Sequence, residues 1–493
     1  MNKQLKILSR TIFFMFIVLF AAVTTIQVVQ ADELRANPLN QRTTMNAFRV
    51  ERGPILAQGT PITQSLPSDD EFLFQRDYPY GPVYAPATGF FSHYQGLTGV
   101  ESAMNNELSG IGNTQFITRF MRIITGEKPQ GSAVELTLNK AVQETAYEAM
   151  QGYEGAVVAI DPRDGKILAM VSTPSFDPNA LSSNDDLEII ENHRNLEQDP
   201  AKPLTNRAIA GDLYHPGSTY KLITAAAALE SGKFKPDSEF ENELAFTLPN
   251  STAKIENFAQ IKCGPDEKVT LETAIVLSCN VPIAEMATQM DENVIPNMAK
   301  AFGFEKDLNI PLPVTPSVAP IPMDKAEAAI SSIGQLDVRT TPMQMAMVSA
   351  GIANGGAVMK PQLINQVIAP NLNVEKSFEA ELLNQAVSAE TAKQLTDMMV
   401  KGVNTAEGAA AMAKIDGVTV AGKTGTAENG LDSQGEPLPY TIWFTGFAPA
   451  ENPTVAIAVV IEDGGGATHD FVGTSFEIPT YIGKQVMEAV LNQ

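Results

Sequence analysis

Ser218 and Lys221 form the first pair of residues whose types and spacing could do chemistry. They stand in the segment Ser-Thr-Tyr-Lys, directly after Pro216-Gly217. If this segment begins a helix, positions i and i+3 share one face, so the hydroxyl group and the amine can meet. A lysine can take the proton of a serine nucleophile only when it is neutral, so its pKa must fall roughly three units from about 10.4. Alone, the motif is weak, because Ser and Lys are often one turn apart on a helix surface.

Two further motifs carry hydroxyl, amide and amine groups at close spacing. Ser278 and Asn280 end an apolar, helix-like segment, although Ser and Asn are also ordinary helix-end residues. The segment Lys423-Thr424-Gly425-Thr426 follows strand-like residues 418–421. A lysine, a glycine and two hydroxyl groups on an edge strand suit the binding of a carboxylate, and glycine lets the substrate backbone approach closely.

Residues 417–424 also satisfy the phosphate-binding pattern G-x-x-x-x-G-K-T. In a nucleotide-binding loop this pattern follows a strand, is rich in glycine and opens a helix. Here the middle residues themselves look like the strand, and residues 425–430 are typical of a turn. The pattern is therefore not interpreted as a nucleotide site.

The distribution of apolar residues indicates the elements that position these motifs. Alternation predicts a strand from residue 134 and a hairpin around the turn Asp161-Pro-Arg-Asp-Gly. Asn139 is placed to cap a helix that ends near residue 150. Thr341, as the cap, and Pro342, in the first turn, are placed to begin another helix. Helices are predicted at 219–230, 270–277 and 341–353, strands at 418–421, 442–448 and 455–461, and a long loop at 176–206. Strands at both ends with helices between them favour an α+β fold, with a sheet packed against a helical cluster.

The N-terminus contains nineteen uncharged residues, 11–29, which nearly match the thickness of a membrane core. Lys3, Lys6 and Arg10 precede them, and acidic residues follow, so the positive-inside rule places the rest of the chain outside the cytoplasm. A cleaved signal peptide is the alternative, since Val29-Gln30-Ala31 resembles a small-residue cleavage site. Signal peptides usually have shorter apolar cores, which favours an uncleaved membrane anchor.

Composition excludes several classes of protein. The chain has 493 residues, 44% of them hydrophobic and 18% charged, which fits a large folded core and not a disordered chain. A net charge of −23 would repel nucleic acid, so nucleic acid is not an expected partner. With two Cys, four His and no H-E-x-x-H motif, neither a metal centre nor another cofactor is predicted.

In combination, the three motifs resemble those of the penicillin-interacting transpeptidases, to which serine β-lactamases are related. Their order and separations, 278 − 218 = 60 and 423 − 278 = 145, suit that family. Flanking residues extend the resemblance to class B penicillin-binding proteins over almost the whole chain, most closely to the penicillin-binding protein A type of actinobacteria. The segments concerned include 52–55, 94–101, 215–221, 333–335, 341–346, 352–356 and 443–449.

This resemblance implies an antiparallel sheet with a helical cluster, as in serine β-lactamases, preceded by an elongated pedestal and one transmembrane helix. The implied domains are 1–30, the cytoplasmic tip and anchor; 31–134, a non-catalytic pedestal or dimerisation domain; and 135–493, the transpeptidase domain. The implied location is the cell membrane, with the catalytic domain outside it. The implied partners are peptidoglycan stem peptides, β-lactams as inhibitors, a membrane glycosyltransferase of the SEDS family and other cell-wall assembly proteins.

The resemblance also implies residue roles in a peptidoglycan D,D-transpeptidase. Ser218 would attack the D-Ala-D-Ala carbonyl, and Lys221 would take its proton. The expected further roles are a proton relay through Ser278, orientation of Lys221 and substrate by Asn280, positive field from Lys423, and carboxylate and backbone binding by Thr424, Gly425 and Thr426. The oxyanion would lie between the backbone N–H groups of Ser218 and Thr426.

Two positions depart from the family pattern. Ala57 stands where many class B members have Asp, within the segment Arg52-Gly-Pro-Ile-Leu-Ala. Leu336 follows Gly-Gln, where a glycine is common.

Three other functions are alternatives to a transpeptidase. A class A β-lactamase needs a Glu that activates water, and no E-x-x-L-N pattern follows Ser278 at short range. A D,D-carboxypeptidase would share every motif and differ only in its product. A non-catalytic scaffold or β-lactam sensor would be favoured by loss of a motif residue, and none is lost. His215, beside the nucleophile, is an alternative base, whereas His93 and His469 are expected to be bystanders and Trp443 to lie in the core or cleft wall.

Cys263 and Cys279 are sixteen residues apart and, on this interpretation, lie outside the cytoplasm, where disulfides form. Cys279 is the middle residue of the Ser-x-Asn motif, so a bridge would fix this turn against the cleft. Two unpaired buried thiols are the alternative, because free Cys is among the most buried residue types. The short separation of the two cysteines and their expected location outside the cytoplasm favour the disulfide.

Overall fold

The computed structural model describes residues 2–30, 34, 48–70, 72–110, 130–465 and 474–493. Helix α1 (Asn2–Thr24) continues into one π-helical turn, Thr25–Val29. The span Lys3–Val29 has a mean hydropathy of 2.5, and none of it is buried. By length and composition this helix fits a single-pass membrane anchor, as predicted.

The described residues of the N-terminal region, 48–70, 72–110 and 130–136, form short elements. Its strands are β1 (Ile55–Ala57), β2 (Thr60–Pro61), β3 (Gln64–Pro67), β4 (Phe74–Asp77), β5 (Phe91–Ser92), β6 (Gly96–Leu97) and β7 (Ala133–Leu136). Its helices are α2 (Ala85–Thr88), α3 (Gly99–Ala103) and α4 (Asn105–Leu108). Each of these strands and helices is two to five residues long.

A buried ion cluster holds this region together. Glu101 is 0% exposed, and its two carboxylate oxygens accept from Arg52 Nε at 2.5 Å and Arg76 Nε at 2.7 Å. Burial alone would raise the pKa of Glu101, but Arg76 and Arg52 hold it below its usual value. The hydroxyl of Thr63 accepts from Arg76 Nη2 at 2.6 Å. The Arg52-Gly segment and Glu101, both part of the family resemblance, therefore meet in one cluster, while the divergent Ala57 is buried on β1.

The remaining strands and helices belong to the larger part of the chain. The strands are β8 (Gly155–Ile160), β9 (Ile167–Thr173), β10 (Glu239–Glu241), β11 (Ala245–Thr247), β12 (Lys254–Glu256), β13 (Lys268–Thr270), β14 (Leu308–Asn309), β15 (Pro313–Val314), β16 (Ala357–Met359), β17 (Ile364–Ile368), β18 (Val374–Ser377), β19 (Leu382–Gln385), β20 (Ala421–Ala427), β21 (Thr441–Ala448) and β22 (Val455–Ile461). The helices are α5 (Lys140–Ala149), α6 (Asp186–Gln198), α7 (Lys221–Glu230), α8 (Leu271–Val276), α9 (Val281–Thr288), α10 (Val294–Ala301), α11 (Lys325–Ser331), α12 (Pro342–Ala353), α13 (Ala389–Asn404) and α14 (Ile478–Leu491).

Strand β7 connects the two parts of the chain. It pairs in parallel with β1 and antiparallel with β17, within a sheet of order β18-β17-β7-β1-β2. The predicted boundary between residues 134 and 135 lies inside this strand. The pedestal therefore shares a sheet with β17 and β18, which follow α12. It is joined to the larger part of the chain by strand pairing and not only by the continuous chain.

The central sheet has the order β20-β21-β22-β8-β9, and every neighbouring pair is antiparallel. Its strands carry apolar residues on both faces, because each face packs against helices. Ala156, Val158 and Val460 face the core that contains α12, whereas the alternate residues Val157 and Val459 face the core that contains α5 and α14. The predicted α+β fold, the hairpin and the strands at 442–448 and 455–461 are confirmed.

The predicted helix starts are also confirmed. Asn139 accepts from the backbone N–H of Val142 at 3.2 Å, and Thr341 Oγ1 accepts from that of Gln344 at 3.1 Å. Two element predictions are wrong. Residues 176–206 do not form one long loop, because Asp185 caps α6 and acidic residues in its first turn stabilise it. Strand β20 begins at Ala421 rather than at 418, so the Lys-Thr-Gly motif lies within the strand.

Candidate active site

A short 3₁₀ helix, Gly217–Tyr220, carries Ser218 and leads directly into α7. Gly217 has a φ of 52°, and a Cβ atom there would lie 2.4 Å from the carbonyl oxygen of Thr426. A side chain at this position would therefore push β20 away. Glycine lets the half-buried Ser218 lie immediately beside this edge strand.

Lys221 begins α7 and is 0% exposed. Its Nζ donates to the carbonyl oxygen of Ser278 at 2.7 Å and to Oδ1 of Asn280 at 2.6 Å. Burial, and then the positive charge of Lys423, lower the pKa of Lys221 well below its usual value. A neutral amine has two N–H groups and one lone pair. Because both N–H groups have acceptors, the lone pair is left to take a proton.

Ser278 lies just after the end of α8 and has a φ of 62°, in the left-handed region. The backbone N–H of Cys279 donates to the carbonyl of Ala274 at 2.9 Å, which closes the turn. This turn directs the hydroxyl of Ser278 toward Lys423, whose Nζ lies 2.6 Å from it. The side chains of Ser278 and Lys423, which belong to two different motifs, therefore meet in one cluster.

Lys423 is 2% exposed, and its Nζ also donates to the carbonyl of Thr424 at 2.9 Å. Burial lowers the pKa of Lys423 to about 7. Near neutral pH this side chain therefore exchanges readily between the charged and neutral forms. Its positive charge also contributes to the lowered pKa of Lys221.

Asn280 is fixed by the segment around β12. Its Nδ2 donates to the carbonyl of Glu256 at 2.9 Å, and its backbone N–H donates to Oδ1 of Asn257 at 2.8 Å. The same Oδ1 accepts from the backbone N–H of Val281 at 3.0 Å. Sequence reasoning missed Asn257, because a single Asn in a turn-rich segment gives no periodic or motif signal.

The predicted disulfide is present in the structure. The Sγ atoms of Cys263 and Cys279 lie 1.99 Å apart, and their Cα atoms 5.8 Å apart. Asn242 holds the other side of the bridge, because its Oδ1 accepts from the backbone N–H of Cys263 at 2.8 Å. The bridge therefore joins the Ser278–Asn280 turn to a loop that is itself hydrogen-bonded.

Strand β20 is at one edge of the central sheet and faces the Ser218 turn. The carbonyl of Thr426 points at Gly217. Since the N–H and C=O of one strand residue point to the same side, the N–H of Thr426 also faces this turn. Thr424 and Thr426 lie two positions apart, so their side chains share the other side of the pleat from Lys423 and Gly425.

The hydroxyl of Thr426 has a further neighbour that sequence reasoning missed. Oγ of Ser475 lies 2.9 Å from Thr426 Oγ1, and Ser475 is 2% exposed. Ser475 stands in the turn before α14, forty-nine residues after Thr426. No local pattern in the sequence indicates such a long-range contact.

His215 does not occupy the position of a base. Its Nδ1 faces the carbonyl of Val338 at 3.1 Å and the guanidinium of Arg339. Burial, and then Arg339, lower the pKa of His215. Its own carbonyl accepts from Nε1 of the fully buried Trp443 at 3.0 Å, so Trp443 supports the segment leading to Ser218.

Two further histidines are the ones expected to be bystanders. His93 is paired with Asp186 at 2.6 Å, far from the motifs in sequence, and His469 lies outside the described residues. Within the described ranges, no group of three or more His, Cys, Asp or Glu residues could hold a metal ion.

Comparisons with known proteins agree with this arrangement. Residues 155–488 match the penicillin binding protein transpeptidase domain, and residues 52–134 match the penicillin binding protein A dimerisation domain. The peptidoglycan D,D-transpeptidase PbpA of Mycolicibacterium smegmatis is 40% identical over 94% of each chain. PbpA of Mycobacterium tuberculosis is 39% identical over 100% of this chain and 99% of its own.

Solved structures give the same result. The ceftriaxone acyl-enzyme complex of M. tuberculosis penicillin-binding protein A matches with a TM-score of 0.85 and 37% identity, covering 91% of this chain and 100% of that one. Its penicillin G acyl-enzyme complex matches with a TM-score of 0.83 and 38% identity, covering 90% and 100%. With a transpeptidase-domain match over most of its length and relatives this similar from end to end, the chain belongs to the class B penicillin-binding proteins.

Proposed function

We propose that this protein is a peptidoglycan D,D-transpeptidase that cross-links stem peptides through an acyl-enzyme on Ser218 and is acylated there by β-lactams. The observation that carries this proposal is the state of Lys221. It is fully buried, its pKa is lowered, and both N–H groups of its neutral form have acceptors in Ser278 and Asn280. This leaves a basic lone pair one helical turn from the Ser218 hydroxyl.

In acylation, the Ser218 hydroxyl gives its proton to Nζ of Lys221, and its oxygen bonds to the penultimate D-Ala carbonyl carbon. The bond to the terminal D-Ala nitrogen then breaks. The leaving amine gains the hydroxyl proton of Ser278, the proposed relay. Ser278 takes a replacement proton from the ammonium group of Lys423, whose Nζ lies 2.6 Å from the Ser278 hydroxyl. An acceptor amine from a second stem peptide repeats these steps in reverse and forms the cross-link.

The negative oxygen that develops during attack needs hydrogen-bond donors. The backbone N–H groups of Ser218 and Thr426 are the proposed donors, because both lie where β20 meets the nucleophile turn. Each such donor can contribute about 3 kcal/mol to the transition state. Thr424, Gly425 and Thr426 are the proposed binding strip for the substrate backbone and terminal carboxylate, with Lys423 supplying positive charge.

The orientation at the membrane is part of the proposal. The basic residues Lys3, Lys6 and Arg10 support a cytoplasmic N-terminus, and the Cys263–Cys279 bridge suits a catalytic domain outside the membrane. We also propose residues 31–134 as the pedestal, residues 135–493 as the transpeptidase domain and a SEDS-family glycosyltransferase as a partner. Crosslinking of the full-length protein in native membranes, followed by mass spectrometry, tests the partner, and the absence of any glycosyltransferase would contradict it.

The function is tested by labelling with a fluorescent penicillin and by product analysis. Ser218→Ala should lose covalent labelling with a nearly unchanged melting temperature, while Ser231→Ala, just after the end of α7, should label normally. Stoichiometric labelling of Ser218→Ala would refute the nucleophile. With a D-Ala-D-Ala donor and an amine acceptor, the parent should form a cross-linked peptide. Release of shortened donor alone would identify a carboxypeptidase, and catalytic turnover of penicillin a β-lactamase.

A further inference from the structure

The hydroxyl groups of Thr426 and Ser475 form a pair at the rim of the proposed carboxylate site. Their oxygens are 2.9 Å apart, and either could be the donor. Thr426 is half-buried, whereas Ser475 is 2% exposed. Ser475 therefore lies behind Thr426, where it can influence the Thr426 hydroxyl without reaching the substrate itself.

Ser475 is held in place from the C-terminal helix. Thr480, in the first turn of α14, donates its hydroxyl proton to the carbonyl of Ser475 at 2.7 Å. The same helix packs against β21 and β22, with Val486 and Met487 in the core of the central sheet. The position of Ser475 is therefore fixed relative to β20, because α14 packs against the same sheet that contains β20.

The direction of the hydrogen bond decides what Thr426 offers to a ligand. If Thr426 donates to Ser475, it presents only lone pairs to the cleft, which repel an anion. If Ser475 donates to Thr426, the Thr426 proton is free to point at the cleft. A carboxylate bound there favours the second arrangement. The hydrogen bond from Ser475 then polarises the Thr426 hydroxyl and strengthens the hydrogen bond from Thr426 to the carboxylate.

We propose that Ser475 is a positioning residue that turns the Thr426 hydroxyl proton toward the terminal carboxylate, and so favours donors that end in a free carboxylate. This inference rests on the proposed function, and it adds a residue outside the three motifs to the determinants of substrate choice. Without Ser475, the Thr426 hydroxyl would lose its orienting partner and rotate freely.

The test compares two probes that differ only in that carboxylate, benzylpenicillin and its methyl ester, on the full-length protein. Ser475→Ala should lower the second-order acylation rate constant for benzylpenicillin by about tenfold, the lower end for a charge-assisted hydrogen bond. The rate constant for the methyl ester should change by less than about twofold, because no anion is present. Thr474→Ala is the matched control: its hydroxyl donates to Glu477 at 3.2 Å in the same turn. It should leave both rate constants unchanged.

An equal fall for both probes would overturn the inference in favour of a purely structural role, and so would no change for either. If Ser475→Ala fails to fold, Ser475→Cys keeps the size of the side chain but is a weaker donor, and the ratio of the two rate constants should move in the same direction. An unchanged ratio in a folded Ser475→Cys variant would equally overturn it. Failure of the parent to be acylated by benzylpenicillin would instead refute the proposed function.

Discussion

Nζ of Lys221 lies 2.6 Å from Oδ1 of Asn280, a residue fifty-nine positions away in the chain. The contact joins α7, which follows the nucleophile turn, to the turn after α8. Since an amide oxygen can only accept, it requires an N–H of Lys221 to point toward it. Asn280 therefore orients the lysine, and Asn257 and the disulfide in turn orient Asn280.

The first prediction concerns this lysine. Lys221→Ala should slow acylation by a fluorescent penicillin by several orders of magnitude, because a nucleophile and its base act as one unit. The exposed Lys235, shortly after the same helix, gives the control variant Lys235→Ala, which should be acylated like the parent. An acylation rate of Lys221→Ala within about tenfold of the parent would show that another group acts as base.

The second prediction concerns pH. The rate constant for acylation of the free enzyme should rise as Lys221 loses its proton and becomes a base. Loss of the positive charge of Lys423, whose pKa is about 7, should lower the rate constant as the pH rises above that value. Lys423→Arg keeps the charge throughout this range, so the falling limb should disappear. A parent profile that stays flat from pH 7 to 9 would contradict the role given to the charge of Lys423.

The sequence predicted local chemistry better than contacts between distant segments. The three motifs stood out because each is a short run with a fixed spacing, and Asn139 and Thr341 were predictable because a helix cap is a local hydrogen bond. Asn257 and Ser475 were missed because each matters only through a contact with a distant residue. The prediction of a long loop over α6 is wrong because Asp favours turns in most positions, whereas Asp185 at the start of α6 caps and stabilises this helix.

The third prediction concerns the bridge beside Ser278. Replacing both Cys263 and Cys279 by Ala should destabilise the transpeptidase part by about 3 kcal/mol, the expected value for a closed loop of this length. It should also slow acylation, because the turn that positions Ser278 and Asn280 is no longer tied to the Asn242 loop. Trp443, the single Trp of the chain, is fully buried in the central sheet, so its fluorescence during denaturation reports this stability directly.

Reductant supplies the control for the bridge. The reduced parent should behave like the double variant, while reductant should not affect the double variant itself. Unchanged stability and acylation in both would show that the disulfide has no function in the site.

The last prediction concerns Leu336, in the loop beside the nucleophile turn. It has a φ of 62°, a conformation that costs a residue with a Cβ atom about 1–2 kcal/mol. Two hydrogen bonds maintain this strained conformation. The carbonyl of Leu336 accepts from Arg339 Nη1 at 2.7 Å, and the carbonyl of the nearby Gly334 accepts from the backbone N–H of Gly217 at 3.1 Å. The loop is thereby fixed against the nucleophile turn.

Leu336→Gly removes this strain but gives the unfolded chain more freedom, so a net stabilisation of about 0.5 kcal/mol is expected. Leu336→Ala is the matched variant, because it loses the same side-chain packing yet keeps the Cβ atom. Denaturation followed by Trp443 fluorescence should therefore find the Gly variant more stable than the Ala variant by about 1 kcal/mol. The opposite order would mean that packing of the Leu336 side chain, and not backbone strain, determines the stability of this loop.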